Sequence, residues 1–259
     1  MRLKPEAERV RRLASPGWIA SHIFALAMVV LMVNLGFWQL RRLEERRAAN
    51  AEIAAAMSQA PSDIAAHLDI RGLPPEHTAV AAAGTYLAGA EVRIGNRSSG
   101  GQPGFWLATP LELDDGRAVT VVRGWVPRRS LTGLDDRSPA PPAGQVTVVG
   151  LAFDSVDGGR AAETAPGETP EISRMDLARF EEVSGVDVED TWIRLQAQSP
   201  TQPEGLPVPV PDPDLGGGPH LSYAFQWCFF SAGAVVVYGL ILRRAIAGRQ
   251  EAPSTELQL

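Results

Sequence analysis

The chain of 259 residues has a single cysteine, Cys228, so it can form no internal disulfide and no cysteine-based zinc site. Charge is missing from two stretches, residues 18–40 and 215–242, which contain no Lys, Arg, Asp or Glu. Each exceeds the roughly 20 apolar residues that cross a bilayer core. There are only these two, and mean hydropathy is near zero. A polytopic transporter and a wholly disordered chain are therefore excluded. Basic residues are scarce between them: residues 41–219 carry 16 basic against 26 acidic groups, net −10. Binding nucleic acid requires a concentrated basic patch, and this balance argues against one.

Catalytic signatures are also lacking. Arg97-Ser98-Ser99-Gly100-Gly101 is not a nucleophile elbow, and no His-Glu-x-x-His occurs. Gly216-Gly217-Gly218 precedes an apolar span instead of a phosphate-binding helix. The acid pairs Asp114-Asp115 and Asp135-Asp136 read as turn residues. No enzyme chemistry is expected.

What is present is a layout of helix, domain, helix. Residues 1–17 form a first tail, 18–40 a transmembrane helix and 41–198 a domain of ordinary size. A Pro/Gly-rich linker follows at 199–219, a second transmembrane helix at 220–242 and a tail at 243–259. Arg243, Arg244 and Arg249 follow a long stretch free of Lys and Arg, which puts the C-terminus in the cytoplasm. Two spans then place the N-terminus there too and the domain outside. The first span is read as a retained anchor: its 23 uncharged residues exceed a signal-peptide core, and no small-residue cleavage site follows.

Between the spans, residues 40–57 are rich in Ala, Glu, Arg and Leu and continue the first helix as a stalk that Pro61 ends. A short helix is expected after Ser62-Asp63, closed before Pro74-Pro75. Strands are expected at 77–87 and 91–96 around the hairpin-length Leu87-Ala88-Gly89-Ala90, and at 105–113 and 117–126 across Asp114-Asp115-Gly116. Val119-Thr120-Val121-Val122 is too continuously apolar for an exposed strand, so it should be central. Further strands are expected at 146–153 and 191–197, with a Ser173-capped helix between them closed by Gly185. The fold class is two transmembrane α-helices flanking a β-rich (α+β) antiparallel barrel- or sandwich-like domain. The linker 199–219, with seven prolines and four glycines, reads as an extended leash.

Two constellations carry possible function. Asn96-Arg97, Phe105-Trp106 and Arg123-Gly124-Trp125 gather Arg and aromatic residues. They admit two readings, a structural sheet with Arg stacked on Trp or a partner-binding face built on Arg123 and Trp125. Histidine is the second, because imidazole is a common axial ligand to haem iron. His67 and His77 read as surface residues, and His22 and His220 lie at opposite ends of the spans. Helical spacing puts Tyr223, Ala224 and Trp227 beneath His220 on one face. That face suits either a ligand with flat ring walls or an interfacial aromatic belt. Asn34, Gln39 and Gln226 are costly in lipid and suggest that the spans have a protein or cofactor neighbour.

With these residues in view, the chain resembles the surfeit locus protein 1 family, the assembly factors of haem-copper cytochrome c oxidase. Leu35-Gly36-Phe37-Trp38-Gln39-Leu40-Arg41-Arg42 is similar to the family's first-helix exit. Gly84-Thr85-Tyr86, Asn96-Arg97, Gly104-Phe105-Trp106 with Thr109-Pro110-Leu111, and Arg123-Gly124-Trp125-Val126-Pro127 are similar to its domain motifs. His220-Leu221-Ser222-Tyr223-Ala224 with Trp227 is similar to its second-helix entry. The resemblance implies a noncatalytic factor that helps deliver haem a to oxidase subunit I. It implies haem iron held by His220. The residues themselves put Tyr223 and Trp227 beside it, and Arg123, Trp125, Trp38 and Gln39 are the expected partner contacts. A composition rich in Ala, Gly, Pro and Arg suggests a bacterial source, hence the plasma membrane. A stable accessory subunit of a respiratory complex and an anchored sensor or binding module are the alternative readings.

Overall fold

The computed structural model describes Arg11 and residues 13–131, 139–165, 167–202 and 205–247. Asp135-Asp136, Arg249 and most of the two expected tails lie outside the described residues. Along the chain the elements are α1 (Pro16–Met57), β1 (Ser62–Asp63), α2 (Ile64–Arg71), β2 (Ala79–Tyr86), β3 (Val92–Ser99), β4 (Gln102–Leu113) and β5 (Ala118–Pro127). They continue with β6 (Gln145–Asp154), β7 (Glu171–Ile172), α3 (Leu177–Ser184), β8 (Thr191–Ser199) and α4 (His220–Ala247). Two units form: one holds α4 with α1 up to Asn50, the other spans Ala51–Asp214.

In the helical unit, both charge-free stretches are helices long and apolar enough to cross a membrane. The stalk is continuous with the first of them, as its helix-forming composition requires. Met32, Gly36, Leu43 and Asn50 of α1 and Ala224 and Ser231 of α4 are buried, at steps of four and seven residues that mark one face of each helix. Gly36 lets the backbones approach: a Cβ built there would lie 3.6 Å from Trp227 Cβ and 3.7 Å from the Ala224 carbonyl oxygen. Asn50 Nδ2 donates to the carbonyls of Leu215 and Gly216, at 2.7 and 3.2 Å, and ties down the chain entering α4. The outward faces carry Phe24, Leu26, Phe229 and Val236, each more than 60% exposed. Large apolar side chains turned outward all along a helix are stable only in a nonaqueous surrounding, and the helices anchor the chain in a membrane.

In the second unit, strands β2, β6, β8, β5 and β4 pair in that order, and β4 returns to β2, closing a five-stranded ring. Of the barrel and the sandwich that the sequence allowed, the barrel forms. Every pairing in the ring is antiparallel except β5 with β8. Closure depends on Gly84, where a Cβ would fall 2.1 Å from the Glu112 carbonyl oxygen across the β2–β4 seam. All ten positions of β5 are buried, as its continuous apolar run demands. Val80, Tyr86, Leu111, Val119, Val148 and Ile193 fill the interior, and Ile64 of α2 packs into the same cluster. A second cluster under β3, β7 and α3 gathers Ile94, Ile172, Met175, Phe180 and Trp192.

Three details differ from the sequence expectation. Residues 87–90 do not make a β2–β3 hairpin: Ala88–Ala90 is a 3₁₀ turn, and β3 pairs with β4 because β2 is already occupied by β6 and by the closing pairs with β4. The helix expected from Ser173 starts at Leu177 with Asp176 as its cap, because Glu171-Ile172 is held extended against β3. Its C-terminus is the expected one, with Gly185 in the left-handed conformation. The linker is also less of a leash than its prolines suggest. Val208 keeps an N–H between Pro207 and Pro209, and it exchanges two backbone bonds with Trp125, at 2.7 and 2.8 Å. Arg194 Nη2 donates to Asp212 Oδ1 at 2.8 Å, and Leu206 packs on Phe105, Leu107 and Val126.

Candidate functional site

The helix pair brings together the residues that carry the chemistry. Gln39 follows Gly36 on the inward face of α1, and His220 is the first residue of α4. Gln39 Oε1 lies 2.9 Å from His220 Nδ1. An amide oxygen can only accept, so Nδ1 carries the ring proton and Nε2 keeps its lone pair. No hydrogen-bond partner among the described residues reaches Nε2. Gly218, at φ +64°, turns the chain just before the histidine, and a Cβ built there would lie 3.7 Å from Nε2. Trp227 lies on the same face two turns along, edge-on to Phe230 at 6.2 Å between ring centroids. Tyr223 is 47% exposed beside it. Trp38 points away from the seam and is also 47% exposed. The donor set at His220 is an imidazole held at Nδ1 by Gln39, on a helix face that also carries Tyr223 and Trp227. It fits a single axial bond to a haem iron.

The other polar residues of the spans have different roles. Asn34 Nδ2 donates to the Val30 carbonyl one turn back at 2.8 Å, so its own helix satisfies it. Gln226 is exposed on the outer face of α4. At the opposite end of the seam, His22 Nδ1 lies 2.5 Å from the Tyr238 hydroxyl and Nε2 lies 3.1 Å from the Leu13 carbonyl. Of the domain histidines, His77 stands edge-on to Phe153 at 4.8 Å and His67 is half-buried on α2.

In the barrel unit, Arg123 is interior, in keeping with the structural one of the two readings the sequence allowed and not with an exposed partner-binding face. Its side chain is fully buried in an ion pair with Glu91. Its Nε donates to Thr109 Oγ1 at 2.9 Å, Nη1 to Gln202 Oε1 at 3.0 Å and Nη2 to the Pro139 carbonyl at 2.7 Å. Thr109 in turn donates to Glu91 Oε2 at 2.8 Å. A buried guanidinium has to be compensated in this way, and here it ties β4, β5 and the three connecting segments that carry Glu91, Pro139 and Gln202 into one knot. Trp125 is also buried, its indole lying over Gly104, where a Cβ would come within 2.5 Å of Nε1. The Arg-on-Trp stack that the sequence allowed is made by Arg97, whose guanidinium carbon lies 4.0 Å from the Trp106 ring centroid. Burial, with the Arg174 charge adding, lowers the Arg97 pKa. Glu91 and Gln202 were not visible as site residues in the sequence, since neither stands in a motif; Thr109 does, in Thr109-Pro110-Leu111.

The model of the SURF1 family matches residues 26–232, well over half of the chain and including Gln39, Arg123 and His220. The chain belongs to the SURF1 family. Similar SURF1 relatives span nearly its whole length. A SURF1-like protein of Rickettsia bellii is 25% identical over 86% of this chain and 91% of its own. An uncharacterized SURF1-like protein of Mycobacterium tuberculosis is 26% identical over 93% of this chain and 89% of its own. The cytochrome oxidase assembly protein SHY1 of Saccharomyces cerevisiae is 29% identical over 39% of this chain and 26% of its own.

Proposed function

We propose that this SURF1-family chain is a noncatalytic assembly factor for haem-copper cytochrome c oxidase, and that it holds haem a at His220 for insertion into subunit I. The observation that carries the reading is the imidazole of His220, engaged at Nδ1 by Gln39 and with no hydrogen-bond partner at Nε2 among the described residues. Family membership and the oxidase-assembly name of the yeast relative support the destination. Bound haem supplies an iron that accepts one nitrogen lone pair. The chain's part is to present Nε2, to flank it with Tyr223 and Trp227, and to place the site where an apolar haem tail meets lipid. Both termini lie in the cytoplasm of a bacterial plasma membrane, with the barrel and His220 at the outer side.

The test is purification of the full chain, in detergent, from cells that make haem a. A haem a absorption spectrum that is lost in His220→Ala, together with co-purification of subunit I, is the expected result. A colourless wild-type preparation that still co-purifies with the mature oxidase would overturn haem handling in favour of an accessory subunit.

A further inference from the structure

Gln39 stands in a charge-free span where an amide is costly, and its carbonyl oxygen meets the one histidine of the helix pair that has a free ring nitrogen. The geometry points to Gln39 as the positioning residue of His220: its Oε1 fixes the Nδ1–H tautomer and the ring orientation, and so keeps Nε2 available as an iron ligand. The inference rests on the haem reading above and gives Gln39, which the sequence offered as a partner contact or a sign of a protein or cofactor neighbour, a specific role.

The physical case has three steps. First, a neutral imidazole has one proton for two nitrogens, so whichever nitrogen donates leaves the other with the lone pair. Second, an amide oxygen at 2.9 Å from Nδ1 is satisfied by only one of the two tautomers. An amide oxygen facing a bare ring nitrogen would be repelled, since both carry lone pairs. Third, histidine ligands to metals generally donate their second N–H to a carboxylate, carbonyl or water, and loss of that acceptor typically costs about 10- to 100-fold in affinity. Gln39 fills that place from the neighbouring helix, so the ligand is oriented by helix packing. Gly36 and Leu43, buried one turn to either side of Gln39, fix its position along the seam.

The experiment uses the full chain in detergent micelles, with 15N-labelled histidine, as wild type, Gln39→Leu, Gln39→Glu and His220→Ala. In the haem-free wild type, long-range 15N–1H correlation should show His220 protonated at Nδ1. Gln39→Leu should lose that signature and bind added haem a about 10- to 100-fold more weakly. Gln39→Glu retains an acceptor, so it should restore the tautomer and binding; its charge should lower the reduction potential of the bound haem. A wild-type His220 protonated at Nε2, or a Gln39→Leu variant with unchanged tautomer and haem affinity, overturns the inference. If instead His220→Ala binds haem a as well as wild type, the haem reading fails, while the tautomer measurement still decides the Gln39 contact.

Discussion

Replacing Arg123 by Met keeps side-chain length but deletes the whole guanidinium, leaving the Glu91 carboxylate, with a side chain only 7% exposed, buried without its cation. Breaking one side of a buried pair costs about 3–5 kcal/mol, because the remaining charge has neither water nor partner. For a unit of this size each kcal/mol moves the melting midpoint by about 2–4 °C, so the expected drop is on the order of 10 °C. Removing both charges is a different perturbation. Arg123→Met with Glu91→Leu leaves no orphaned ion; the bonds from Arg123 to Thr109, Gln202 and the Pro139 carbonyl are lost in the single variant as well, so the comparison isolates the unpaired carboxylate. The double variant should therefore lie above the single variant in stability. Thermal unfolding of the full chain in detergent, followed by tryptophan fluorescence, reads both. A single variant costing under about 1 kcal/mol, or a double variant less stable than the single, would refute the claim that Arg123 is a structural interior ion and return it to a surface role.

Four further outcomes are expected. Gly36→Cys should cross-link to Cys228 under mild oxidation and shift the chain on a non-reducing gel, since a Cβ at position 36 lies 3.7 Å from Cys228 Sγ; no shift would mean that the helix register is wrong. Asp176 caps α3 and also accepts from the Gly159 N–H at 2.8 Å, so Asp176→Ala should cost about 1 kcal/mol or somewhat more in chemical denaturation. Burial pushes the Asp176 carboxyl up, but backbone donation from Arg179, Gly159 and Gly158 outweighs this, aided by the Arg179 charge, and holds its pKa below the ordinary carboxylate value. A depressed pKa stabilises the fold above the unfolded value of about 3.9 and is lost as pH falls through the folded one, so Asp176→Asn should flatten the stability decline below about pH 4. Tyr238→Phe removes the hydroxyl that meets His22 and should weaken helix pairing by about 0.6 kcal/mol without changing haem a content, a result checked by detergent melting and absorbance.

Much of the architecture was legible because it rests on local signals. Absent charge marked both spans, and Asp115-Gly116 marked the β4–β5 turn, where Gly116 takes φ +86°. The unbroken Val119–Val122 run marked the strand that is buried throughout. What sequence did not disclose depends on pairing between distant residues. Nothing local in Val92–Ser99 says that its partner is β4 and not β2; the ring closure between Gly84 and Leu113 decides that. The place of Arg123 stayed open for a related reason. An arginine beside a tryptophan has the composition of a binding face, and only the arrival of Glu91 from the turn before β3 and Gln202 from the linker makes it an interior ion. His220 was picked out by its place at the head of the second span, but its tautomer could not be read until Gln39, 181 residues away in sequence, was found beside it.

The two histidines of the helix pair look alike in sequence, one near each end of an apolar span, and the structure separates them by what the second ring nitrogen does. At His22 both nitrogens are engaged: Nε2 donates to the Leu13 carbonyl, and Nδ1 meets the Tyr238 hydroxyl, which also lies 3.3 Å from Ser21 Oγ. An iron approaching there would have to displace a hydrogen bond worth about 1 kcal/mol and leave a polar group unpaired in an apolar surrounding, a further cost of about 1–3 kcal/mol. At His220 the one bond present is the one that a metal-bound imidazole retains. Ligation at His220 therefore opposes no existing contact, whereas ligation at His22 breaks one. On the proposed haem reading, this difference of about 2–4 kcal/mol, roughly 30- to 1,000-fold in occupancy, would favour the His220 end before any contact with the rest of the haem is counted.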